Sequence, residues 1–204
     1  MRHTAILHVP HSATIIPPEY REKIIIGDDE LQVELLRMTD WFIDKLFSPL
    51  EKCIALRYPI SRLVLDPERF EEDDKEIMVS RGMGVIYTKT SYGKVLRATA
   101  SPQERDSLIQ RYYRPHHASL VEAAVAVRTN ASGALVIDCH SFPSQPLADE
   151  IDQSSERPDI CIGTDDYHPP HWLADLAVSL SLDAGFFAMV QCPGNGSVNF
   201  YRFN

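Results

Sequence analysis

Apolar positions along the chain fall into two patterns. Short, uniformly apolar runs alternate with longer stretches in which apolar residues return every three or four positions. Uniform runs suit strands buried on both faces, and their alternation with helical stretches is the pattern of an α/β fold. The runs predict strands at residues 5–9, 53–56, 63–65, 85–88, 134–138, 160–163 and 188–192, with a last one at 197–203. Leu31, Leu35, Met38, Phe42 and Leu46 predict one helix across residues 29–47. A second helix opens at Ser101-Pro102-Gln103-Glu104, a capping box with proline at the first helical position. It runs towards Asn130, with Gly133 just beyond, and Pro115 kinks or divides it. A third helix follows His168-Pro169-Pro170 and stops before Gly185.

Composition narrows this picture. The 204 residues suit a single domain with a sizeable core, and no repeat or linker divides them. Twenty Lys+Arg against 29 Asp+Glu leave a net charge of −9. That excludes a broad electrostatic grip on nucleic acid or an anionic membrane, though not a local basic pocket for a small anion. No apolar run approaches the roughly 20 residues that cross a bilayer. The first ten residues enter a strand-like segment without a signal peptide's apolar stretch. Cys53, Cys139, Cys161 and Cys192 fit neither a disulfide framework nor a metal knuckle; the expectation is reduced, mostly buried thiols in a cytoplasmic protein.

Candidate chemistry clusters at strand ends, where open α/β sheets bind ligands. His8-Val9-Pro10-His11-Ser12 ends the first strand. Asp138-Cys139-His140 ends the strongest buried run; Asp138 and His140 share a face of an extended chain, while Cys139 points the other way. Asp40 lies close to the apolar stripe of its helix, and Asp44 one turn on reads as solvated. Arg62 and Arg69 flank a short apolar run, and their planar guanidinium groups match carboxylates. They are surface residues, partners of the acidic run Glu71-Glu72-Asp73-Asp74, or a clamp for a ligand carboxylate. His116 and His117 are adjacent on a helix and point about 100° apart, so at most one is expected to face a site.

Taken together, these segments resemble the N-formylglutamate amidohydrolase family. The matching pieces are His8 to Thr14, Met38-Thr39-Asp40-Trp41, Ser61 to Phe70, Gly84 to Thr88, Tyr112 to His117, Asp138 to Ser144 and Ile162 to His168. The resemblance implies a mixed, mostly parallel sheet flanked by helices, similar to the zinc-dependent exopeptidases of the carboxypeptidase class. It implies hydrolysis of the formamide bond of N-formyl-L-glutamate, or a close N-acyl amino acid, to formate and glutamate, a late step of bacterial histidine breakdown. It makes His11 and His140 zinc ligands. Thr14 stands where the exopeptidases carry a glutamate, so Asp40 is the candidate third ligand, with His8 the alternative. Arg62 and Arg69 look like the clamp for the anionic substrate. His117 and Asp138 look like catalytic-pocket residues that orient their neighbours. Relatives continue past the position of Asn204 to a glutamate resembling the exopeptidase general base; Glu68 is the substitute expected here. The motif His11-Ser12-Ala13 also departs from the family's His-Ser-Gly.

Two readings lie beside active hydrolysis. One is a divergent family member that binds metal or a carboxylate ligand without efficient turnover. The other is an α/β domain whose histidines are structural.

Overall fold

The computed structural model describes residues 5–47, 52–128, 134–147, 153, 156–164 and 171–191. The chain divides into two compact units, Met1–Asp138 and Cys139–Asn204. Both are α/β, and every strand ladder among the described residues is parallel.

In the first unit, β1 (Ala5–Val9) is the middle strand of a three-stranded sheet. It lies between β2 (Cys53–Arg57) and β3 (Leu135–Asp138). All five residues of β1 are buried, as its apolar run requires. The register sets His8 opposite Leu56 on one side and Asp138 on the other. Helix α5 (Arg114–Arg128) covers this sheet: Ala123 and Val127 pack on Ile6, with Ile54 and Leu56 alongside. A second apolar cluster joins Tyr20, Tyr58, Val64, Leu65, Val85, Ile86, Leu108 and Ile109. The second unit pairs β4 (Ile160–Gly163) with β5 (Ala188–Gln191), and α6 (His171–Asp183) precedes β5.

Two expected strands are not strands. Leu63, Val64 and Leu65 are fully buried, but as a turn: Val64 N–H donates to the Ser61 carbonyl and Leu63 N–H to Ser61 Oγ. The segment from Val85 to Thr88 holds only isolated antiparallel bridges around it, Met83 with Tyr87 and Lys89 with Val95. Both runs are apolar because they fill the core, and short apolar runs do not distinguish strand from buried turn. The strand expected at 197–203, and Cys192, lie outside the described residues.

The first long helix is also broken. After α1 (Pro18–Arg21), α2 spans Asp28–Met38 and α3 only Ile43–Leu46. Thr39 between them is extended, and Phe42 takes a left-handed conformation with φ 66°. Phe42 and Leu46, two members of the expected apolar stripe, are exposed, and Ile43 is buried instead.

The second long helix divides before Pro115. The capped start at Ser101 is present, its side chain accepting from Glu104 N–H. Helix α4 (Pro102–Leu108) runs into a π-helical turn at Ile109–Tyr113 and then α5. Proline has no N–H to give the preceding turn, and a wider turn is one way to absorb that.

Candidate active site

The site builds on the exit of β1. The chain leaves Val9 through Pro10 and buries His11. Tyr58 N–H donates to the Val9 carbonyl and Asp40 N–H to the His11 carbonyl, both at 2.9–3.0 Å. The break between α2 and α3 makes the second bond possible, because inside a continuous helix the Asp40 amide would bond within the helix. The break also turns the Asp40 carboxylate inward, buried, with Oδ2 3.9 Å from His11 Nδ1.

On its other side, His11 Nε2 lies 2.8 Å from Asp66 Oδ1, and both side chains are fully buried. Asp66 is the hub of the site, and the sequence reading did not single it out. Its Oδ1 also accepts from Glu68 N–H at 3.0 Å. Its Oδ2 accepts from Tyr87 OH at 2.6 Å and from Arg62 Nη2 at 2.8 Å. Burial alone would push this carboxyl up; the Arg62 guanidinium, then His11 and Arg69, outweigh it and hold Asp66 well below the usual carboxylate range. An ionised carboxylate only accepts, so His11 donates through Nε2, and its neutral form turns the Nδ1 lone pair towards Asp40. One sign could have found Asp66 in the sequence: a lone acid ending the apolar run Leu63-Val64-Leu65.

Arg62 is spent inside this network. It donates to Asp66 through two nitrogens and to Tyr87 OH at 3.1 Å through Nε. Burial lowers its pKa, yet Asp66 and Tyr87 more than reverse that, so it is a fixed cation. Arg69 is held more loosely: Nε lies 3.6 Å from Asp66 Oδ2 and Nη1 3.6 Å from Glu76 Oε1. Those separations exceed hydrogen-bond length. The acidic run pairs with other arginines, Arg105 with Asp73 and Arg114 with Glu71.

The Asp66–Arg69 loop is pinned from α5 and the π turn. His117 Nε2 lies 2.8 Å from the Pro67 carbonyl, and Tyr113 OH donates to the Arg69 carbonyl at 3.0 Å. Both bonds fix the loop's backbone rather than its side chains. Glu68 is thereby set between two histidines, Oε2 3.5 Å from His11 Nε2 and Oε1 3.9 Å from His8 Nδ1.

A second chain of contacts runs from β3 to α5. His8 Nδ1 lies 2.8 Å from Asp138 Oδ1, as the register of β1 and β3 dictates, and His8 Nε2 lies 2.8 Å from His116 Nε2. Burial, with His8 and His117 beside it, lowers His116 to about 4. Both adjacent histidines of α5 have partners, His116 the His8 side chain and His117 the Pro67 carbonyl. His140 is buried and stands two residues past Asp138, at the start of the second unit.

Among the described residues, histidine and carboxylate side chains gather closely enough that they could hold a metal ion. A buried imidazole whose far nitrogen is held by a carboxylate is the arrangement that orients metal-binding histidines. The near nitrogen faces the Asp40 carboxylate at 3.9 Å.

A sequence model of the N-formylglutamate amidohydrolase family matches residues 4–191. The chain belongs to that family. Among solved structures, it is similar to the crystal structure of N-formylglutamate amidohydrolase from Ralstonia eutropha JMP134, at 20% identity and a TM-score of 0.82. That match covers 93% of this chain and 72% of the other. It is also similar to the gene product Atu2144 from Agrobacterium tumefaciens, at 18% identity and a TM-score of 0.66, covering 94% of this chain and 71% of that one. At these identities the likeness shows the fold, a mixed α/β architecture of parallel sheets flanked by helices. No curated protein sequence matches the chain. Among the described residues, no helix is long and apolar enough to cross a membrane.

Proposed function

We propose that this family member hydrolyses the formamide bond of N-formyl-L-glutamate or a close N-acyl amino acid, at a zinc ion held by His11, Asp40 and His140. The observation that carries the reading is His11, fixed by Asp66 at Nε2 and facing the Asp40 carboxylate with Nδ1. His140 enters on family resemblance and on its place two residues after Asp138. The metal, when bound, supplies a Lewis acid for the formyl oxygen and a water of lowered pKa.

The chain's own residues then divide the work. Asp66 and Tyr87 hold His11 and Arg62 in place. Glu68, beside His11, is the group positioned to take a proton from the attacking water and return it to the leaving amine. Arg69, which has no close hydrogen bond to its Nε among the described residues, is the carboxylate clamp. Arg62, spent on Asp66, positions that clamp rather than serving as half of it. His117 and Tyr113 hold the backbone of the Asp66–Arg69 loop, which fixes where the Glu68 and Arg69 side chains begin. Asp138 orients His8.

The test is formate release from N-formyl-L-glutamate by zinc-loaded protein. Turnover is expected, with Arg69→Ala raising KM for the diacid far more than for a neutral formamide. Equal effects on both substrates would reject the clamp. Metallated, folded protein that releases no formate would favour the divergent binding member. Tight metal that survives both His11→Ala and His140→Ala would sink the ligand assignment.

A further inference from the structure

His8 is an unusual residue for a buried central strand. Its neighbours Ile6, Leu7 and Val9 are apolar and buried, and it is buried with them. A histidine there must have both ring nitrogens satisfied. His116 takes Nε2, and two carboxylates face Nδ1: Asp138 Oδ1 at 2.8 Å and Glu68 Oε1 at 3.9 Å. The three ligand atoms of His8, Glu68 and Asp138 all lie within 4.8 Å of one another.

We infer that His8, Glu68 and Asp138 form a second divalent-cation site beside the ion held at His11, taking a first-row metal such as zinc or manganese, with Glu68 using Oε1 there and keeping Oε2 towards His11. Two carboxylate oxygens gathered this closely around an imidazole nitrogen favour a cation among them, whether a proton on Nδ1 or a metal. Tetrahedral zinc with bonds of about 2.0–2.1 Å sets its ligand atoms roughly 3.3 Å apart. The observed 2.8 and 3.9 Å straddle that spacing, so small side-chain rotations bring the three atoms to one ion.

The shell around His8 suits this use. His116 Nε2, 2.8 Å from His8 Nε2, is placed to accept a hydrogen bond from His8 Nε2–H when Nδ1 is on a metal. With that tautomer the Nδ1 lone pair is offered to an ion among the carboxylates, and His116 is the orienting partner of a ligating histidine. The Tyr58 ring stacks edge-on against His116, 5.0 Å between centroids, and holds it in place. One imidazole with two carboxylates is a harder donor set than a cysteine-rich site and admits manganese as well as zinc. A metal there would replace the proton between His8 and Asp138 and tie Glu68 to both strands.

The experiment is metal loading of the whole chain, stripped with chelator and titrated separately with zinc and with manganese. Metal per chain is read by emission spectroscopy and affinities by calorimetry. His8→Ala is expected to bind one equivalent fewer than the parent, and His116→Phe to weaken that equivalent 10–100-fold. Asp138→Asn keeps the shape of a half-exposed side chain and guards against a His8 variant that fails to fold. It is expected to weaken the same equivalent at least tenfold. His11→Ala is expected to remove the other equivalent and leave this one, so failure of the primary site is read separately. Parent, His8→Ala and Asp138→Asn loading alike would overturn the second site and leave an ordinary hydrogen-bonded histidine.

Discussion

Asp66 shows how one residue can set the chemistry of its neighbours. It fixes which nitrogen of His11 carries the proton, occupies Arg62, and leaves Arg69 beside it with capacity to bind. Asp66→Asn keeps the shape and removes the charge. Arg62 would then be a buried cation without its counter-ion, and losing one partner of such a pair costs about 3–5 kcal/mol. Urea unfolding is expected to show that loss, and zinc affinity measured by competition should fall 10–100-fold because His11 is no longer oriented. His116 yields a pH prediction. Its pKa is about 4 in the folded protein against 6.5 for an unperturbed histidine. As pH falls below 6.5 the unfolded chain takes up the proton first, so stability is full above 6.5 and declines between 6.5 and 4. Metal-free protein is expected to melt at progressively lower temperature across pH 6.5 to 5, and His116→Phe to flatten that slope. The chemistry-bearing residue types were legible in sequence because they sit at strand ends and beside prolines. Asp66 and Tyr87 were not, because a buried acid and a core tyrosine look ordinary until their partners are known.

At the scale of elements, the break between α2 and α3 delivers Asp40. The periodic stripe from Leu31 to Leu46 is a sound helical pattern, and its first half holds. Beyond Met38 the competing gains are the Asp40 amide bonding the His11 carbonyl and Ile43 reaching the core. Neither is visible in local periodicity, since one partner lies some thirty residues away. The break carries a cost at Phe42, held at φ 66° with its side chain 67% exposed. Left-handed geometry costs an L-residue about 1–2 kcal/mol, partly offset by the larger chain entropy of an unfolded glycine. Phe42→Gly is therefore expected to raise the urea midpoint, by roughly 0.5–1 kcal/mol of stability, with activity unchanged. The π turn before Pro115 has the same logic. The proline was readable as a disruption, but the form of the disruption depends on what Tyr113, His116 and His117 must reach.

For the whole molecule, the proposed ligands come from segments far apart in sequence, so metal binding should act on folding. Any ligand that binds only the folded chain adds about 4 kcal/mol of stability when present at a thousand times its Kd. Chelation is expected to lower the melting temperature by several degrees, and zinc to restore it; His11→Ala with Asp40→Ala should lose the share of that response that comes from the ion at His11. The sequence by itself determined the α/β class, the central apolar strand, the capped helix at Ser101, and the family through motifs in a fixed order. These follow from periodicity, capping chemistry and residue type, all of which act over a few neighbouring positions. Only the tertiary structure decided that Asp66 orients His11, that Arg62 is spent within the protein while Arg69 is held loosely, and that His8, Glu68 and Asp138 share one space. Those outcomes depend on which distant side chains compete for the same buried polar atoms, and that competition exists only once the chain has folded.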